Sequence, residues 1–259
     1  MPLSGQDLDA TAALMKNLTE APGPSGFEEA VREIVLREFD DLGLDIRFDG
    51  LGSVLANGNY SAGGPRVMVT AHLDEVGLMV QHITPDGFIR VKTLGGWLRQ
   101  ALPDQRWTIL GRAGPVTAVS GIRTIHVTPG SQRDRVWSLE ETFLDVGATS
   151  AAEVEAMGVR PGDGIAPQSA FTILPNGRYA AKAWDDRVGL AVMLVAARRI
   201  RDEGIRIPAD VVWVATTQEE IGLRGAQTAV ALASPDIGIS IEAGVSADFP
   251  GIGPTQAQE

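Results

Sequence analysis

Cysteine is absent from this 259-residue chain, and with it go disulfides, thiolate nucleophiles and every metal site built on sulfur. Histidine is scarce at three residues, and aromatics make up only 5%. Positive charge is short as well: 22 Lys and Arg stand against 33 Asp and Glu, a net charge of −11. That balance argues against nucleic acid or an anionic membrane as partner, because binding either needs cationic side chains to displace counterions from phosphate. The longest apolar run, Leu190 to Ala197, is far too short to span a bilayer. Met1 to Glu20 carry neither a basic start nor a continuous apolar stretch, so no secretory signal is read and a soluble, cytoplasmic protein is expected.

What is present is ordinary globular material, 44% apolar and 21% charged. The length allows one to two domains at about 150 residues each. The surplus of acid is raw material for a metal site that must use His, Asp and Glu.

Leu8, Leu14, Met15 and Leu18 suggest a short amphipathic helix ended by Pro22-Gly23-Pro24. Ser25 and Glu28 read as a capping box ahead of a second helix carrying Phe27, Val31, Ile34, Val35 and Phe39 on one face. Strands are expected at Leu44 to Phe48, Ser53 to Ala56 and Arg66 to Thr70. From about Val76 to Gln168 the texture becomes short β-prone runs broken by Gly and Pro: Phe88 to Val91, Trp107 to Leu110, Val116 to Val119, Thr124 to Val127 and Thr142 to Val146. One helix, Ser150 to Met157, interrupts them, and a small barrel or sandwich is the reading. Helix Arg187 to Arg201, strand Ala209 to Ala215, helix Leu223 to Leu232 and strand Gly238 to Ile241 restore an α/β pattern. One α/β domain with a β-rich insertion follows.

Chemistry-bearing residues fall at matching places in this layout: His72 with Asp74 and Glu75, Asp185 with Asp186, Glu219 with Glu220, and Glu242. All but the aspartate pair sit at or just past the carboxyl end of an apolar strand, where open α/β sheets bind ligands. Each has a plain structural reading too. Asp185 and Asp186 could cap their helix, Glu219 and Glu220 could be first-turn acids of the next one, and His72 could be a hydrogen-bonded structural residue. Glu242 at the rim of a buried sheet needs a partner. Together they offer one imidazole and several carboxylates, a set suited to Zn²⁺ or Co²⁺. His82 and His126 lie in the insertion and read as structural or surface residues.

Four segments, Ala21-Pro22-Gly23-Pro24-Ser25-Gly26-Phe27-Glu28, Ala71-His72-Leu73-Asp74-Glu75-Val76-Gly77-Leu78-Met79, Lys182-Ala183-Trp184-Asp185-Asp186-Arg187-Val188-Gly189 and Thr217-Gln218-Glu219-Glu220-Ile221-Gly222-Leu223-Arg224-Gly225-Ala226, resemble in order the tetrahedral, or glutamyl, aminopeptidases of peptidase family M42. Gly95-Gly96-Trp97 and Asp145-Val146-Gly147-Ala148 resemble that family's β-rich domain. Its members often carry an endoglucanase or cellulase label that these residues do not support. The resemblance implies a mixed-sheet, zinc-peptidase-like catalytic domain (residues 1–75 and 169–259) with an inserted small β-barrel oligomerisation domain (76–168). It implies two divalent metal ions per subunit, Zn or Co, peptide substrates and a homo-oligomer.

Carried over residue by residue, His72 and Glu242 would bind the first metal, with Asp248 the rival of Glu242. Asp185 would bridge both ions and Glu220 would hold the second. Asp74 would hydrogen-bond the far nitrogen of His72, the Asp185-Asp186 peptide would be cis, and Glu219 would be the general base. The family pattern also includes a C-terminal His ligand, whereas no His follows His126. The expectation is therefore a chain short at its C-terminus. The alternatives to an aminopeptidase are a homologue lacking the full metal site that serves as an assembly or binding subunit, or a related amide hydrolase.

Overall fold

The computed structural model describes residues 9–251 except 59, 61, 62 and 247. Helix α1 (Ala10–Glu20) starts where Asp9 Oδ1 accepts the Ala12 N–H at 2.7 Å. It buries Leu14, Met15 and Leu18 and stops short of Pro22, which has no N–H to continue it. Helix α2 (Glu29–Asp41) buries Val31, Val35 and Phe39, one stripe at i, i+4 spacing. Strands β1 (Asp45–Phe48) and β2 (Val54–Asn57) form a hairpin whose turn is held by Asp49 Oδ1, acceptor for the N–H groups of Leu51 and Ser53. Strand β3 (Arg66–His72) completes this first part.

Six strands then close a barrel in the order β4-β5-β8-β7-β6-β9. They are β4 (Gly77–Ile83), β5 (Ile89–Leu94), β6 (Arg106–Gly111), β7 (Gly114–Gly121), β8 (Phe143–Asp145) and β9 (Gly164–Pro167), with helix α3 (Ala151–Ala156) between the last two. Leu78, Ile89, Trp107, Ile109, Leu144 and Ile165 fill its interior. A ribbon of β10 (Thr172–Ile173) and β11 (Tyr179–Ala180) leads to α4 (Trp184–Asp202), β12 (Asp210–Thr216), α5 (Arg224–Ala233) and β13 (Ile237–Ser240).

The main sheet runs β1-β2-β12-β3-β13. Strands β12 and β13 flank β3 and run parallel to it, whereas β2 is antiparallel to β12. Side chains of β12 alternate with the two-residue period of a strand. Val211, Trp213 and Ala215 join the core under α1, α2 and α4, while Val212 and Val214 meet Ala229 and Ala233 of α5 on the other face. The fold is thus a mixed α/β sheet covered on both faces at its centre and exposed at the edge strand β13, with a closed barrel emerging between β3 and α4.

Several local expectations are corrected. Ser25 and Glu28 do not form a capping box: the N-cap Glu28 side chain makes no capping hydrogen bond to its helix, and Ser25 Oγ donates to Asp74 Oδ2 at 2.6 Å. Thr124 to Val127 is not a strand but holds a 3-10 turn (Ile125–Val127), and with Ile125 and Val127 both exposed it has no pleated neighbour among the described residues to pack against. Strand β4 escaped notice because polar Gln81 and His82 break its apolar run at a register shift. Glu219 and Glu220 are not first-turn acids, since α5 begins only at Arg224.

Candidate metal centre

Because β12 and β13 both run parallel to β3, their carboxyl ends open on one edge of the sheet. Thr216 pairs with His72 and Ser240 with Thr70, so the residues just past each strand meet there. His72 ends β3 and is buried; Glu219 and Glu220 follow β12, and Glu242 follows β13. Asp185 comes from the other direction, at the irregular start of α4. Asp185 and Asp186 are non-helical, and the peptide joining them is cis.

The two aspartates divide the structural and chemical readings between them. Asp186, fully buried, accepts the N–H of Gly189 on Oδ1 (3.0 Å) and that of His72 on Oδ2 (3.2 Å), so it caps the regular part of α4 and ties it to β3. Asp185 turns outward, its side chain 57% exposed, and places Oδ1 2.9 Å from His72 Nε2. Around that same nitrogen stand Glu242 Oε1 at 3.7 Å and Glu219 Oε2 at 3.8 Å. Ligand atoms of His72, Asp185 and Glu220 lie within 4.8 Å of one another, as do those of His72, Asp186 and Glu242. Asp248 is exposed and bonded to Ser246, outside both groups.

His72 Nδ1 lies 3.0 Å from the carbonyl oxygen of Asp74 and 3.4 Å from its Oδ1. A carbonyl only accepts, so the proton belongs on Nδ1, which leaves Nε2 facing the acids. The nearer partner is thus the Asp74 backbone rather than its carboxylate. That carboxylate is occupied by the N–H groups of Glu219 (2.9 Å) and Glu220 (3.1 Å) and the hydroxyl of Ser25.

The electrostatics record a cluster of acids whose one counter-charge among the described residues is the imidazole at its centre. Burial opposes ionisation of His72, but hydrogen bonds to Asp185 and Asp74 and the field of Asp74 and Asp186 outweigh it and push the imidazole up to about 11. Burial pushes the Glu220 carboxyl up to about 7, with the charge of Asp185 adding to the shift. Burial does the same to Asp186, also to about 7, aided by Glu242. The His72 bond holds Asp185 low, whereas burial raises Glu242. Among the described residues no Lys or Arg pairs with Asp185, Glu219, Glu220 or Glu242.

Neighbouring Glu75 has a different task, which spacing did not reveal. Buried, it binds Lys182 Nζ at 2.6 and 2.8 Å and lies 3.5 Å from Arg187 Nη2, linking the end of β3 to both flanks of Asp185. Arg187, wholly buried, donates in turn to the carbonyls of Leu18 and Ala21. His82 is exposed on β4 and His126 in a 3-10 turn, both away from the cluster.

A mixed sheet with imidazole and carboxylates converging on its carboxyl edge defines an α/β protein with a candidate cation site at its strand ends. The chain belongs to the M42 glutamyl aminopeptidase family, which it matches over residues 52–258. It is 37% identical to the lysyl aminopeptidase of Pyrococcus furiosus over 88% of its length and 33% identical to the glutamyl aminopeptidase of Lactococcus lactis over 90%. The chain spans 65–66% of the length of these curated relatives, just under two thirds. A TET aminopeptidase from a marine sediment archaeon of the Thaumarchaeota superposes with TM-score 0.92 at 39% identity, covering 98% of this chain and 70% of that one. The TET1 peptidase of Pyrococcus horikoshii, which assembles into a tetrahedron or a large octahedral shell, superposes with TM-score 0.83 at 26% identity, covering 94% of this chain and 72% of that one.

Proposed function

We propose that this chain carries a metal-dependent aminopeptidase that releases N-terminal residues from peptides. The observation that carries the reading is the meeting of His72, Asp185, Glu220 and Glu242 at one sheet edge, with Glu219 beside them and, among the described residues, no Lys or Arg to neutralise them. One imidazole nitrogen and several carboxylate oxygens suit Zn²⁺ or Co²⁺. In this reading His72 and Glu242 would hold one ion and Glu220 a second, and Asp185 would serve both. Bound there, the ions supply Lewis-acid polarisation of the scissile carbonyl and lower the pKa of water.

The chain's own groups do the rest. Glu219, adjacent to a ligand and paired with no Lys or Arg among the described residues, accepts the proton of the attacking water and returns it to the leaving amine. Asp74 fixes the proton of His72 on Nδ1 through its carbonyl and holds the backbone of the Glu219-Glu220 pair through its carboxylate. Asp186 locks β3 to α4, so that His72 and Asp185 keep their separation.

Residues 1–75 and 169–259 belong to the catalytic part in this proposal, and the barrel region 76–168 serves assembly into a homo-oligomer. The assembly of the TET1 peptidase and the exposed Leu98, Val119, Ile125, Val127 and Val136 on the barrel region support that role. Among the described residues no helix is long and apolar enough to cross a membrane. A cytoplasmic location is part of the same proposal. The test is hydrolysis of an aminoacyl-anilide after chelator treatment and after resupply of Co²⁺ or Zn²⁺, beside an N-acetylated copy. Amine release restored by metal and confined to the free N-terminus is expected; equal cleavage of the acetylated substrate would sink the reading.

A further inference from the structure

Three consecutive backbone N–H groups in the turn that carries Glu219 point at carboxylates from distant parts of the chain. Gln218 N–H donates to Glu28 Oε1 at 3.1 Å, Glu219 N–H to Asp74 Oδ1 at 2.9 Å and Glu220 N–H to Asp74 Oδ2 at 3.1 Å. Both carboxylates are buried, Glu28 at 2% exposure and Asp74 at 0%. Gln218 has φ +55°, a left-handed conformation that a residue with a Cβ adopts only when its surroundings impose it. Successive N–H groups gathered by such a residue form a concave anion-binding nest. Here the protein fills the nest with its own acids.

The carbonyls of the same turn are also spoken for. Thr217 O accepts from Gly225, Gln218 O from Arg224, and Glu219 O from Gly222 and Leu223, all at the approach to α5. The turn is therefore gripped on its donor side by Glu28 and Asp74 and on its acceptor side by the next helix. Asp74 also contacts His72, so its removal disturbs the cluster directly. Glu28 does not: its other contacts are the N–H of Gly26 at 2.7 Å and the Arg32 guanidinium at 3.5 Å, away from every proposed ligand. At the start of α2 it does not cap that helix, and of its side-chain bonds the one to Gln218 is the one that reaches a distant segment.

We propose that Glu28 is a positioning residue, which holds Gln218 left-handed so that the Glu219 carboxylate stays beside the metal cluster. This rests on the reading of Glu219 as general base, but the hold itself can be measured without turnover. Hydrogen exchange would be followed on the wild-type chain, Glu28→Ala and Glu28→Gln; the glutamine keeps an accepting oxygen. In Glu28→Ala, exchange at Gln218, Glu219 and Glu220 should quicken at least tenfold, with β12 and α4 unchanged. Glu28→Gln should stay within about threefold of wild type, because a neutral acceptor retains the bond. Should the alanine variant not fold, Glu28→Asp, which withdraws the oxygen by one methylene, carries the same local prediction at smaller amplitude.

Unaltered exchange across residues 218–220, or quickening spread over the whole chain, would overturn the proposal. With zinc restored, Glu28→Ala should also lose kcat tenfold or more at unchanged KM and metal content, and Glu28→Gln should recover most of it. A wild-type chain that releases no amine would refute the aminopeptidase reading, while the exchange data would still decide the role of Glu28.

Discussion

Glu219 and Glu220 are neighbours in sequence with different surroundings. Glu220 ligand atoms approach His72 and Asp185, while Glu219 stands to the side with Oε2 3.8 Å from His72 Nε2. Glu219→Gln removes the proposed proton acceptor and leaves the proposed ligands, so turnover should fall about 10²–10⁴-fold with zinc content unchanged, as read by anilide hydrolysis and elemental analysis of the same sample. Near-normal turnover would reassign the base. The pH behaviour of the metal-free chain follows from the same crowding. Asp186 and Glu220 ionise near pH 7 when folded and near 4 when unfolded, so each contributes stability that is full at low pH and lost as pH rises through about 7. His72, raised to about 11, has the same sign over a higher window, fading from its unfolded value of 6.5 upward. The metal-free melting temperature should therefore fall between about pH 5 and 8, and zinc, which competes with those protons, should widen its stabilising effect over the same interval. A flat profile in differential scanning calorimetry would contradict this. At this scale the sequence was informative about the acids and the imidazole, because strand ends announce themselves by hydrophobicity. It misled at Ser25 and Glu28, whose S-x-x-E spacing imitates a capping box, and offered no sign of the role of Gln218, because the partners of all three lie far away in the chain.

Elements place those residues, and two are sensitive to single changes. Gly225 opens α5 where an added Cβ would lie 2.3 Å from Thr217 O, 2.6 Å from Thr217 N and 2.7 Å from Ser53 Oγ. Backbone cannot step aside as a side-chain tip can. Gly225→Ala should therefore cost about 1–3 kcal/mol in urea unfolding and loosen the turn before the helix. In the barrel, Trp107 is fully buried and its Nε1–H has no acceptor among the described residues. Trp107→Ala should cost about 3–5 kcal/mol through the cavity it leaves, whereas Trp107→Phe should cost far less because it also removes an unpaired donor. Long periodic elements such as α2, α4 and β12 were legible because one face or both faces of each are apolar throughout. Strand β9 was not, since its Gly164 and Pro167 look like a turn, and Ile125–Val127 mimicked a strand by composition although no strand among the described residues pairs with it. Composition reports what a residue prefers, and pairing depends on what lies opposite.

Across the whole molecule, a sheet edge assembled from β3, β12 and β13 gathers groups that lie up to 170 residues apart, Glu242 and His72, around one nitrogen. That gathering could be anticipated from sequence only through the rule that parallel strands present their carboxyl ends together, plus the family resemblance; the barrel's closure and the buried Glu75 link with Lys182 and Arg187 required the fold. The acidic surplus likewise gains meaning from place, since a few of the 33 acids define the candidate cation site. The most direct test is a zinc titration of the chelator-treated chain beside Asp185→Ala. Saturable binding at two ions per chain, largely lost in the variant, is the predicted result. No saturable binding, or the same binding in Asp185→Ala, would contradict it.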